Sequence, residues 1–241
     1  EDVGGPDDPW TAELFERRVR LCFCAVGMNR RGEIAGANWG SYPSTKGIWM
    51  KDMGYTVTPF FALDPELFKK IVLWFIPRSL RHTGDKEFEG FSLGGGINYS
   101  ICNGLTPVVL AGLYYEATAD TRFFEDHPEV LRRCKDLLEE LLESRADGPY
   151  LFDSVWISDG PSRGDFHTGS NIVAWYSFCA SARLCAEVLG EDETSCRYSE
   201  IAAKIQQDLK DRCIAEGPRG PQYTEGANRD GSVIFDHDGE E

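Results

Sequence analysis

Positive charge is in short supply in this chain: 25 lysines and arginines face 40 aspartates and glutamates, a formal net charge of −15. That balance would repel a nucleic-acid backbone or an anionic membrane surface, so neither is expected as a partner. Long apolar runs are lacking too; the longest break off well short of a bilayer span. No Gly/Ser linker or low-complexity tract divides the 241 residues, which favours one domain over residues 1–241. Histidine is sparse, with His82, His127, His167 and His237 scattered along the chain. Among the eight cysteines, Cys22-Phe23-Cys24 lacks the spacing of a zinc or redox pair, and most of the others fall at apolar positions of predicted helices. With no disulfide framework in view, a reducing, cytoplasmic setting is expected. Gly94-Gly95-Gly96 has no Lys-Ser/Thr after it and no strand before it, which excludes it as a phosphate loop. The chain begins Glu1-Asp2-Val3 without Met, signal sequence or basic targeting segment, as a trimmed or processed chain would.

What is abundant is one pattern, repeated. Asn171 to Leu189 is apolar almost all round, with Ile172, Val173, Trp175, Tyr176, Phe178, Leu184 and Val188. After Gly190-Glu191-Asp192, a stripe of Tyr198, Ile201, Ala202, Ile205 and Leu209 opposes Glu200, Lys204, Gln207 and Lys210. Thr106–Ala117 and Glu129–Leu142 repeat the pairing around Ala119-Asp120, and Val57–Leu63 with Pro65–Leu80 does so more roughly, disturbed by Pro59 and Pro77. A helix apolar on every side must be wrapped by others, whereas a striped helix covers one side and faces water. The alternation predicts an all-α architecture with an inner ring of helices sheathed by an outer one.

The connections are asymmetric. Inner-to-outer breaks are short, but each inner helix is entered from a long stretch: Asn29–Trp49, Glu87–Leu105 and Asp147–Ser170. Loops of this length are usually functional or disordered, and Trp39, Tyr42, Trp49, Phe91, Tyr99, Tyr150, Trp156 and Phe166 favour ordered, functional ones. In a helical scaffold both connections would be short. Two entries combine Trp with a carboxylate: Trp49-Met50-Lys51-Asp52, and Trp156-Ile157-Ser158-Asp159-Gly160-Pro161-Ser162-Arg163, which closes on Asn171. Aromatic faces beside carboxylates and amides suit a sugar. Glycoside cleavage needs one carboxylic acid to protonate the departing oxygen and a second carboxylate to activate water or attack the anomeric carbon. An apolar wall such as Trp156 raises a neighbouring acid's pKa. Each element also has a plainer reading: Asp159-Gly160 as a turn, Asn171 or Ser170 as a helix N-cap, Asp52 as a surface partner of Lys51.

These segments resemble the six-hairpin (α/α) glycosidases, which include trehalases, glucoamylases, glycogen-debranching glucosidases and related exo-acting α-glycosidases. Trp49-Met50-Lys51-Asp52 is similar to their aromatic-x-Arg-Asp segment, which grips the terminal sugar. Trp156 to Arg163 looks like the segment that supplies the general acid, and Asn171 to Gly190 resembles the helix that follows it. The resemblance spans roughly Ala37 to Cys213 and implies an (α/α)6-toroid that cleaves a terminal α-linked sugar with inversion. It implies Asp159 as acid, and Trp49, Lys51, Asp52, Trp156, Arg163 and Asn171 as substrate-binding residues. Two carboxylates and a water suffice for this chemistry, so neither metal nor organic cofactor is expected.

The chain departs from that family in two ways. Lys51 stands where Arg is usual, and an ammonium cannot make the planar two-pronged grip of a guanidinium. Only three hairpins can be drawn, or four if Trp10–Val26 is an outer helix, where a closed ring needs six. The expectation is therefore an incomplete toroid, truncated at its C-terminal end, with Glu240 and Glu241 as candidates for the base. The acidic tail Asp236–Glu241 matches no calcium loop. Two alternatives remain: a non-catalytic carbohydrate-binding or scaffold protein, and a sugar epimerase or unsaturated-uronyl hydrolase on the same toroid. Epimerases of this kind work through paired histidines.

Overall fold

A computed structural model describes residues 9–24, 26–28, 30–31, 34–37, 47–76, 87–88, 91–94, 97, 100–153, 155–157 and 161–235. The chain opens with helix α1 (Pro9–Cys24), a hairpin of β1 (Val26–Met28) and β2 (Ile34–Ala37), and the short strand β3 (Gly47–Trp49). β3 runs directly into α2 (Met50–Val57), followed by α3 (Phe60–Leu63) and α4 (Pro65–Phe75). Strands β4 (Glu87–Phe88) and β5 (Phe91–Gly94) precede α5 (Ile101–Gly104) and α6 (Thr106–Thr118). Next come α7 (Thr121–Asp126) and α8 (Pro128–Glu143), then β6 (Phe166–His167) leading into α9 (Thr168–Leu184). α9 ends in a π-helical turn, Cys185–Leu189, and hands over to α10 (Asp192–Arg212). The final stretch holds the antiparallel ribbon β7 (Ile214–Gly217) and β8 (Gly220–Tyr223), then β9 (Gly226–Ala227) and β10 (Val233–Ile234).

α2, α6 and α9 are the inner helices, with α4, α8 and α10 outside them. α6 and α9 bury most of their girth and leave one strip less covered, Val109 and Leu113 on α6 and Ile172, Tyr176 and Arg183 on α9, while α8 buries the single stripe Val130, Leu131, Cys134, Leu137, Leu138 and Leu141. α9 is long and apolar enough, together with its π turn, to cross a membrane. It packs against α6, α8 and α10, which with the rest of the chain bury 44% of that apolar stretch. Two glycines set the inner-helix spacing. A Cβ on Gly54 would lie 2.6 Å from Thr106 Cγ2, and one on Gly112 would lie 2.6 Å from Ala180 Cβ. A side chain at either point would push two inner helices apart.

Local signals terminate the helices where the sequence suggests. Asp64 caps α4 through the Leu67 amide at 3.0 Å, and Asp120 caps α7 through Phe123 at 3.1 Å. α6 closes on Ala119 in the left-handed region (φ 51°), and the π turn closes on Gly190 (φ 66°).

Three expectations need correcting. The first inner helix starts at Met50, not Val57, and Pro59 separates it from α3. Asn171 is not the cap of α9; the helix starts three residues earlier and His167 caps it, Nδ1 accepting the Ser170 amide at 3.0 Å. The short strands at the helix entries, among them β5 running into Gly94 where no strand is expected, and the ribbon after α10 add small β elements to an otherwise helical fold.

Candidate active site

The long entries converge at one end of the inner helices. β3 pairs in parallel with β5, with Gly47 opposite Ser92 and Trp49 opposite Gly94, which joins the first entry to the second. Just inside, the Asn103 side chain accepts the Lys51 amide at 2.9 Å and donates to Ser100 Oγ at 3.0 Å. Ser100 Oγ in turn donates to the Ile157 carbonyl at 2.9 Å, joining the second entry to the third. Ser100 and Asn103 are both fully buried, so each bond is sheltered from competing water and costly to leave unmade. Two neutral side chains thus tie the backbone next to the Trp49-bearing turn to that next to the Trp156-bearing turn.

A second chain of contacts runs deeper. Cys102 Sγ lies 3.4 Å from Ser170 Oγ, which lies 2.8 Å from His167 Nδ1. Because Nδ1 accepts the Ser170 amide, it carries no proton in this arrangement, and Nε2 is the nitrogen facing Glu225 Oε1 at 3.4 Å. Burial pushes the Cys102 thiol up, so it stays protonated and is a poor nucleophile at neutral pH.

The third entry carries the Trp156 segment and is built as a hairpin. Trp156 bridges Pro161 in antiparallel fashion, and the Ser162 amide donates to the Val155 carbonyl at 3.1 Å. Asn171, fully buried, straps the stem: its amide oxygen accepts the Phe152 N–H at 2.8 Å, and its nitrogen donates to the carbonyls of Phe152 and His167 at 3.1 and 2.9 Å. The chain after α10 returns to the same place. β9 pairs with β6, placing Ala227 opposite Phe166 and Gly226 opposite His167, and the Thr168 amide donates to the Glu225 carbonyl at 2.9 Å.

The residues singled out from sequence are distributed as follows. Trp49 lies in β3 and Asp52 in α2; their side chains are outside the described residues, as are Asp159, Glu240 and Glu241 altogether. Lys51 is half-buried in the first turn of α2, beside an apolar gap of about 50 Å³ lined also by Gly54, Thr58, Cys102, Thr106 and Val173. That gap is a packing space between inner helices, with room for water and not for a sugar ring. Trp156 and Arg163 are half-buried on opposite arms of the hairpin. Asn171 has its amide committed to backbone, which makes it a strap for the loop. Sequence reasoning did not single out Ser100, Asn103, Glu225 or Arg229. The first two carry a readable signal, polar residues three apart just ahead of an all-apolar helix. The last two come from a segment with no motif of its own. Among the described residues no three His, Cys, Asp or Glu side chains gather as metal ligands.

Helical hairpins entered from one end through long aromatic loops define part of an (α/α)6-toroid. No family model and no curated protein matches the chain. Among solved structures it resembles an α-mannosidase of Streptococcus pneumoniae, from a family described as metal-independent and captured in a non-productive complex with α-1,6-mannobiose. The TM-score is 0.73 at 15% identity, over 92% of this chain and 64% of the mannosidase, so the chain spans less than two thirds of that protein's length.

Proposed function

We propose that the protein is a glycoside hydrolase that removes a terminal α-linked mannose from an oligosaccharide or glycoside, with inversion, by carboxylate acid/base catalysis. The observation that carries this reading is the bridging of the entries at one end of the inner helices by Asn103 and Ser100. The loops that carry Trp49 and Trp156 come together at that end, and the likeness in fold to an α-mannosidase supports a sugar as the ligand there. In this reading Asp159 protonates the leaving oxygen, and Glu240 or Glu241 activates the water. Trp49 and Trp156 stack on the ring, Lys51, Asp52 and Arg163 hold hydroxyls, and Asn171 keeps the acid's loop in place.

The test is incubation of the full-length protein with α-1,6-mannobiose and aryl α-mannosides, with α-glucosides and α-rhamnosides alongside. Release of free mannose, unchanged by EDTA and appearing first as the β-anomer by NMR, is the expected result. Binding of mannosides without release would leave a carbohydrate-binding module, and activity confined to another sugar would correct the substrate.

A further inference from the structure

The segment returning after α10 does more than pair with β6. Arg229 lies over the Phe166 ring, its guanidinium carbon 5.1 Å from the centroid. Its Nη2 donates to both carboxylate oxygens of Asp153, at 2.7 and 2.6 Å. Its Nη1 is 3.0 Å from Asp165 Oδ1, and its backbone N–H donates to Asp165 Oδ2 at 2.7 Å. Next to it, Asn228 Oδ1 accepts the Asp165 amide at 3.1 Å. Asp153 and Asp165 lie on the two stems of the hairpin whose described arms hold Trp156 and Arg163, and in the sequence Asp159 falls between those arms. One guanidinium therefore holds both ends of that loop. We infer that Arg229 is a positioning residue which locks the base of the 153–165 hairpin and so presents the proposed acid, an inference resting on the glycosidase reading above.

Three considerations support this. A planar guanidinium offers donors along more than one edge and can serve two carboxylates at once, which an ammonium cannot do with the same geometry. The stems are also joined through neutral groups, Phe152 to His167 by Asn171 and Val155 to Ser162 by a backbone bond; Arg229 adds a link between the carboxylates at the hairpin's base. Finally, Arg229, Asp153 and Asp165 are all about half-exposed (43%, 49% and 38%). Ion pairs so exposed add little to global stability. Such a clamp sets where a loop sits without deciding whether the domain folds. For a general acid, a displacement of about 1 Å can cost about 100-fold in rate.

The experiment compares wild type with Arg229→Gln, Arg229→Lys and Asp153→Asn, reading amide hydrogen exchange over residues 155–162 and kinetics on aryl α-mannosides of graded leaving-group quality. In Arg229→Gln the hairpin amides should exchange at least about tenfold faster while α6 and α9 stay protected. The kcat for poor leaving groups should fall about 10–100-fold, and that for a dinitrophenyl mannoside, which needs no protonation, should stay within about twofold. Arg229→Lys should fall between Arg229→Gln and wild type, and Asp153→Asn should reproduce the loosening if Arg229→Gln folds poorly. Unchanged exchange in Arg229→Gln would overturn the clamp, whatever the activity. Faster exchange with equal kcat loss for good and poor leaving groups would overturn its link to the acid. If the wild type cleaves no glycoside, the proposed function falls and the catalytic half of this inference with it, while the exchange data still decide the clamp.

Discussion

The two ends of the inner helices hold themselves together by different means. Where inner helices hand over to outer ones, the polar groups are charged and partly exposed. Lys69 pairs with Asp120 at 3.0 Å, Lys135 with Glu191 at 2.8 Å and Arg183 with Glu187 at 3.0 Å. The Tyr114 and Tyr115 hydroxyls donate to Asp120 and Glu187 at 2.6 and 2.8 Å. At the entry end the exposed Arg229 clamp lies over a buried layer of neutral groups that, among the described residues, the handover end lacks: Ser100, Asn103, Thr106, Thr168, Ser170 and Asn171. Charged pairs at a surface are screened and forgiving, whereas a buried amide leaves its partner stranded when removed. The entry end therefore spends buried polar groups on fixing loop against loop, an investment that makes sense where loop geometry has to be exact for function. The handover end only has to close short turns.

Several substitutions would sharpen or break this contrast. The largest effect should come from Asp159→Asn, which on the proposed mechanism lowers kcat for aryl mannosides with poor leaving groups by about 100-fold or more; an unchanged rate would remove Asp159 from the role of acid. Asn171→Ala strands backbone groups of Phe152 and His167, and Asn103→Ala strands the Lys51 amide. Each should cost about 1–3 kcal/mol in urea denaturation, with Asn171→Ala the more damaging because it loses three bonds. Gly112→Ala drives a methyl into Ala180 and should cost about 1–3 kcal/mol, with denaturation again the measurement. At the handover end, Lys135→Met breaks a partly exposed pair and should change stability by about 0–1 kcal/mol. Equal losses at the two ends would dissolve the comparison.

The smallest effect concerns pH. The Tyr114 hydroxyl and then Lys69 hold the Asp120 carboxyl below its ordinary value of 3.8, against the opposing pull of burial. A carboxylate depressed in the folded state binds fewer protons there than when unfolded. Its contribution is complete above pH values near that ordinary one and fades as pH falls through the lower, folded value. Asp120→Asn should therefore remove part of the stability lost on acidification below about pH 4, read from melting temperatures across an acid titration. A variant as acid-sensitive as wild type would show that Asp120 is not a contributor.

The helical scheme was legible because burial leaves a mark on periodicity. α6 and α9 read as apolar all round, α8 and α10 as striped, and the breaks at Ala119-Asp120 and Gly190-Glu191-Asp192 fall where the helices end. The first hairpin was harder. Gly54 and Thr56 weaken the helical signal of Met50–Val57, and tertiary contact with Thr106 is what makes Gly54 fit. The β7–β8 ribbon was illegible because Ile214–Gly217 and Gly220–Tyr223 show no clean alternation, and the β9 return because its partner β6 lies about 60 residues away in sequence. The same holds at the site. The Trp156–Arg163 segment announces a turn through Asp159-Gly160-Pro161, but nothing local tells that Arg229 will reach back to Asp153.

The central claim is that the Trp49 and Trp156 turns frame a single sugar site. The most direct measurement is an NMR titration of the Asp159→Asn protein, carrying labelled tryptophan indoles, with α-1,6-mannobiose. The account predicts that the Trp49 and Trp156 resonances shift together on one binding curve, while Trp10 and Trp175 stay in place. Shifts at only one of the two turns, or separate curves with different affinities, would contradict it.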